Sequence, residues 1–90
     1  MPKLQIKATL IDIEAKLDRN ASPFYKLSLS GFPHHFYAFA TDYNLKESTL
    51  QSLKETPEKL VNHLVLLTYE ELPSKDGSGS FLKVREIQIL

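Results

Sequence analysis

The sequence contains no cysteine. That excludes a disulfide framework and any zinc site built on thiolates, and it fits a reducing compartment. No stretch approaches the roughly 20 apolar residues of a membrane span. The opening MPKLQIKATL has no apolar run behind a basic end, so no secretory leader is expected. These absences predict a cytoplasmic protein without membrane association. Neither sign of charge is in excess: 11 Lys and Arg balance 11 Asp and Glu. That argues against strong nonspecific nucleic-acid binding, which rests on neutralising phosphates.

Catalytic signatures are missing too. Gly77-Ser78-Gly79 lacks the Lys-Ser/Thr and the helix that complete a phosphate-binding loop. There is no G-x-S-x-G nucleophile elbow. Glu70 and Glu71 are adjacent, so on a strand they point apart and do not pair as acid and base. The same geometry keeps His34 and His35 from chelating one ion, and His63 is distant in sequence. The sequence predicts no enzyme, no metal and no cofactor.

What is present describes one small globular domain, residues 1–90. The 42% hydrophobic and 24% charged fractions allow a core, though a small one. Charge is segregated along the chain. Residues 16–35 hold Lys16, Arg19 and Lys26 against Asp18 alone. Residues 41–71 hold Lys46, Lys54 and Lys59 against six carboxylates.

Residues 3–17 alternate with one slip. Leu4, Ile6, Ala8 and Leu10 share a face, then Ile11, Ile13, Ala15 and Leu17 take over in the opposite phase. Such a slip marks a β-bulge in one long strand, or a break between two short ones. The turn formers Asp18 to Pro23 follow. Tyr25, Leu27 and Leu29 then alternate with Phe24, Lys26, Ser28 and Ser30, a half-buried strand. Gly31-Phe32-Pro33 turns the chain, and the aromatic-rich stretch His34 to Thr41 predicts a third strand in a hairpin with the second. The period then changes, predicting a helix near 46–55, with Ser48 or Thr49 as its cap and Thr56-Pro57 as its end. A short further turn can follow between Pro57 and Asn62. His63 to Leu72 and Phe81 to Leu90 return to strand composition, joined by the Gly/Ser-rich loop 73–80. The last strand slips phase near Arg85, from Leu82 and Val84 to Ile87 and Ile89, a second candidate bulge.

Three strands, a helix and two strands, with a long bent first strand, resemble the OB-fold. PFYKLSLSGFPHHFYAFATD resembles the second and third strands of OB domains in single-stranded DNA-binding proteins and the replication protein A group. LVLLTYEEL and FLKVREIQIL resemble their closing hairpin. The resemblance covers nearly the whole chain but rests on pattern, because the fold has no sharp motif. It implies an all-β, five-stranded Greek-key barrel with one short helix between strands three and four. An open α+β sheet with the same element order is the alternative; the two phase slips favour closure, which needs coiled strands.

In such domains strands two and three, with the loops after strand one and before strand five, form the ligand face. Matching the family pattern, where strand three ends in a polar residue such as Asp42, puts Phe36, Ala38 and Ala40 inside. Tyr37 and Phe39 are then outside, beside Lys26 and near Phe24. The opposite assignment, with the aromatics in the core and the alanines in solvent, stays open. Exposed rings stack bases, and neighbouring cations follow the phosphates. Phe24, Tyr37 and Phe39 are the candidate stacking residues. Lys26, Arg19, Lys75, Lys83 and Arg85 are the candidate phosphate contacts, although each lysine alone also reads as ordinary surface. The function so implied is binding of single-stranded DNA or RNA with low sequence specificity, in DNA replication, repair or RNA metabolism. The alternative is a small adaptor whose aromatic face docks on a protein partner or on a second copy.

Overall fold

The computed structural model describes residues 3–74, 77 and 79–90. The chain is mostly β. Its elements run β1 (Leu4–Leu17), β2 (Pro23–Leu29), β3 (Phe36–Phe39), α1 (Glu47–Glu55), β4 (Leu64–Pro73) and β5 (Ser80–Ile89). A 3-10 turn, Pro57–Lys59, lies between α1 and β4.

β1 is long enough to serve two neighbours. Its first part pairs with β4, from Leu4 opposite Tyr69 to Thr9 opposite Leu64. Its second part pairs with β2. At the changeover Leu10 faces Leu29 and Asp12 faces Ser28, which leaves Ile11 as an extra residue. This is the bulge expected from the slip at Leu10-Ile11, and it bends the strand between two partners. β2 and β3 form an antiparallel hairpin, with Phe24 opposite Phe39 and Leu27 opposite Phe36. Gly31 in its turn has φ +82°, a conformation that costs glycine little. β3 meets β5 in parallel at two positions, Phe36 with Leu82 and Tyr37 with Lys83. β5 runs antiparallel to β4, and the strands close into a ring in the order β1-β2-β3-β5-β4. The second expected bulge is also present. Thr68 faces Glu86 and Tyr69 faces Val84, so Arg85 is the extra residue.

Leu10, Leu27, Leu29, Phe36, Ala38, Val65, Leu67 and Val84 fill the ring and are essentially inaccessible. Fully burying such a side chain is worth about 1.5–3 kcal/mol. The expected inward turn of the second half of β1 is only partly realised. Ile13 packs against the core, whereas Ile11, Ala15 and Leu17 are exposed. Ile11 is the bulged residue, and Ala15 and Leu17 lie beyond the stretch of β1 that β4 covers.

α1 closes one end of the ring with Thr49 and Leu53 buried, and Leu45 and Leu60 join the same core. Neither Ser48 nor Thr49 caps it: Lys46 holds the cap position, with no side-chain capping bond. The helix start is fixed by β5 instead. The Lys46 N–H donates to the Arg85 carbonyl at 2.8 Å. The Thr49 hydroxyl accepts from the Ile87 N–H at 3.0 Å, so it is spent on tertiary docking. The helix ends before Pro57 as expected. β3 is shorter than the aromatic run suggested; His34 and His35 precede it in the turn, and Ala40 and Thr41 follow it. Among the described residues no helix is long and apolar enough to cross a membrane.

Candidate functional site

The alternation of β2 and β3 decides which rings reach the surface. Tyr25, Leu27 and Leu29 point inward, and Phe24, Lys26 and Ser28 lie half-buried on the outer face. On β3, Phe36 and Ala38 are inside, and Tyr37 and Phe39 are half-buried outside. Of the two alanines expected inside, Ala38 is buried and Ala40 is half-buried in the turn after β3; the small residue at 38 has a packing reason. Ala38 lies directly across from Tyr25, a large ring that is itself buried, so the small residue makes room for the large one. Burial also pushes the Tyr25 hydroxyl pKa up. Phe36 packs edge-on against Tyr69 at 5.1 Å.

The outer rings form one cluster. Phe39 stacks on its cross-strand partner Phe24 at 5.7 Å between centroids, with 30° between planes. Tyr37 lies 6.3 Å from Phe24. Phe81 of β5 meets Phe39 edge-on at 6.1 Å. The Lys83 ammonium sits over Phe39 at 5.4 Å, a cation–π contact. Phe39 is thus enclosed by Phe24, Phe81 and Lys83, and Phe24 and Tyr37 form its open flank on the β2 side. Phe81 was not singled out in the sequence. Its signal was the strand period: it stands two residues before Lys83 and so shares that residue's face.

A polar row crosses the sheet beside this cluster. Glu14 faces Lys26, Lys26 faces Tyr37, Tyr37 faces Lys83, and Lys83 faces Glu70. No carboxylate of the described residues lies within salt-bridge distance of Lys26 or Arg19. Arg19 is exposed in the β1–β2 loop. That loop is tied by Asp18, whose side chain accepts from the N–H groups of Asn20 at 2.8 Å and Ser22 at 2.9 Å. Lys83 keeps 23% of its side chain exposed and lies 3.6 Å from Asp42. Lys75 lies outside the described residues.

Arg85 departs from the expectation that it meets phosphates. It is 7% exposed, and its guanidinium is spent on protein carboxylates. One nitrogen donates to Asp42, and two others donate to the two oxygens of Glu70 at 3.3 Å each. The bulge that makes Arg85 the extra residue of β5 places it between these partners rather than on the free face. The hydrogen bonds from Arg85 hold the Glu70 carboxyl below the ordinary carboxylate range. Burial is the largest single influence on Arg85 and opposes its charge, but the bonds to Glu70 and Asp42 and the charges of both carboxylates together outweigh it and raise its pKa.

The aromatic face borders a pocket of about 420 Å³ at the beginning of β3 and β5. Tyr37 and Phe81 belong to both. The other walls include Pro33, His34, His35, Glu71, Ser80 and Leu82. His35 is held by its Nδ1, 3.1 Å from the Ser28 hydroxyl. The Ser80 hydroxyl donates to Glu71 at 3.0 Å. Glu71 is far in sequence from the adjacent pair His34-His35, and nothing in their spacing pointed to a shared cavity. Among the described residues no three His, Asp or Glu side chains converge as a metal site.

No protein-family model, no curated protein and no solved structure matches the chain.

Proposed function

We propose that this chain is a binding module of the OB type, not an enzyme, and that it takes single-stranded nucleic acid across the outer face of β2, β3 and β5. The strand order, the bent β1 and the helix closing one end all agree with a five-stranded Greek-key barrel of that type. One observation carries the ligand reading: four rings, Phe24, Tyr37, Phe39 and Phe81, gather on the outside of a sheet whose inner face already has its own core. Monomeric proteins seldom leave such a cluster facing solvent without a use for it. Bases stack on exposed rings whatever their sequence, at about 1–3 kcal/mol each. Phe24 and Tyr37 provide that surface, and Phe39 supports them. Lys26 and Arg19 follow the phosphates, with Lys83 contributing in part because Asp42 offsets its charge.

Zero net charge makes binding by one copy weak and salt-sensitive. A second copy or a partner domain would supply avidity. The pathway class that suits such a module is DNA replication, repair or RNA metabolism.

A protein-docking adaptor is the second reading. Its support is that Lys83 and Arg85 both have carboxylate partners, which lowers the net positive field of the face. Titration of a labelled oligothymidine at low and at moderate salt separates the two. Saturable binding at low salt that weakens with added salt supports the nucleic-acid reading. Absence of binding even at low salt rejects it and leaves the adaptor.

A further inference from the structure

The pocket beside Tyr37 differs in chemistry from the aromatic face. Its two rings, Tyr37 and Phe81, are continuous with the stacking surface, so a chain of bases lying on that surface reaches it without a gap. Its volume of about 420 Å³ is ample for one base with part of its sugar. It offers a carboxylate, Glu71, and the imidazoles of His34 and His35, but no lysine or arginine. A carboxylate repels phosphate. What it attracts on a nucleotide is the exocyclic amino group of a base, whose N–H bonds it can accept. Glu71 is exposed and therefore accessible. The Ser80 hydroxyl occupies one lone pair of its Oε2 and orients the group, which leaves Oε1 to a ligand. His35, anchored through Nδ1 to Ser28, has its Nε2 left to bond the ring.

We propose that this pocket receives one nucleobase turned out of the bound strand, and that Glu71 selects a base bearing an exocyclic amino group over one bearing a carbonyl there. The proposal rests on the single-strand reading above and adds a preference to it. Elsewhere the face stacks any base; at this one position it distinguishes cytosine from uracil.

Oligodeoxycytidine and oligodeoxyuridine of equal length test it, because the two differ only in the amino or carbonyl group at C4 and the matching protonation of N3. Titrations at low salt with the intact chain are expected to show oligodeoxycytidine binding about tenfold more tightly. Glu71→Gln, whose amide can donate to a C4 carbonyl as well as accept from a C4 amino group, is expected to bring the ratio close to one by weakening oligodeoxycytidine binding and strengthening oligodeoxyuridine binding. Ser80→Ala, which removes the orienting bond, is expected to lower the ratio part of the way. Equal binding of the two oligonucleotides by the unmodified protein overturns the pocket assignment and leaves the stacking face standing. A ratio that survives Glu71→Gln assigns the preference elsewhere and also overturns it. Failure to bind either oligonucleotide overturns this proposal together with the reading on which it rests.

Discussion

Asp42 and Arg85 stand 43 residues apart and meet as a buried ion pair, with Glu70 clasping the other side of the same guanidinium. The arrangement joins the turn after β3, the middle of β4 and the bulge of β5. It also removes two carboxylates and one cation from the outer face, which shapes the electrostatic field there.

Breaking this cluster from its centre should be costly. Arg85→Met leaves Glu70 without its cation and Asp42 with Lys83 alone, and removal of one member of a buried pair costs about 3–5 kcal/mol. Chemical denaturation should show a loss of that order. A loss under about 1 kcal/mol would mean that the pair is solvated and contributes little.

The cluster also has a pH signature. In the folded chain the Glu70 carboxyl lies below its ordinary range because Arg85 donates to it. The unfolded chain therefore binds the proton first as pH falls. The stabilisation is complete above the ordinary carboxylate range and is lost as pH falls through the lowered folded value. Glu70→Gln should flatten that part of the acid-unfolding profile. An unchanged slope between the two proteins would remove Glu70 as a contributor.

α1 is held by β5 rather than by its own cap. Thr49→Val deletes the acceptor for the Ile87 N–H and leaves that buried group unpaired, a cost of about 1–3 kcal/mol. Ser48→Ala, at an exposed position with no capping role, should change stability by less than about 0.5 kcal/mol. Thermal melts of the two variants check the contrast.

Much of the architecture was legible in the period of the hydrophobic residues. The slips at Leu10-Ile11 and near Arg85 are the two bulges, because an extra residue must reverse the phase of everything after it. The inward face of β3 followed from the family resemblance, in which the strand ends in a polar residue such as Asp42; the composition of the strand, with small Ala38 inside and large Tyr37 and Phe39 outside, pointed the other way. The fate of Arg85 was not legible. Its neighbours along the strand say that it leaves the core, but its partners come from Asp42 and Glu70, and only the folded ring brings these together. The pocket was hidden for the same reason. His34-His35 was informative only as a poor chelating pair until β5 placed Phe81 and Ser80 beside it. The helix cap misled because Thr49 has the right side chain for capping but meets a stronger claim from β5.

On the face proposed to bind nucleic acid, the rings and the cations should separate by their salt response. Phe24→Ala and Tyr37→Ala should each weaken oligothymidine binding by about 1–3 kcal/mol at any salt concentration. Lys26→Ala should weaken it mainly at low salt and lower the slope of log affinity against log salt by roughly 0.7.

The location of the strand is most directly tested by amide chemical-shift mapping of the labelled protein during titration with oligothymidine at low salt. The largest changes are expected at 24–26, 37–39 and 81–83, with Ile11, Leu64 and Ile89 on other parts of the surface unmoved. Shifts confined to those other parts, or no shifts at any oligonucleotide concentration, would contradict a nucleic-acid site on the aromatic face of β2, β3 and β5.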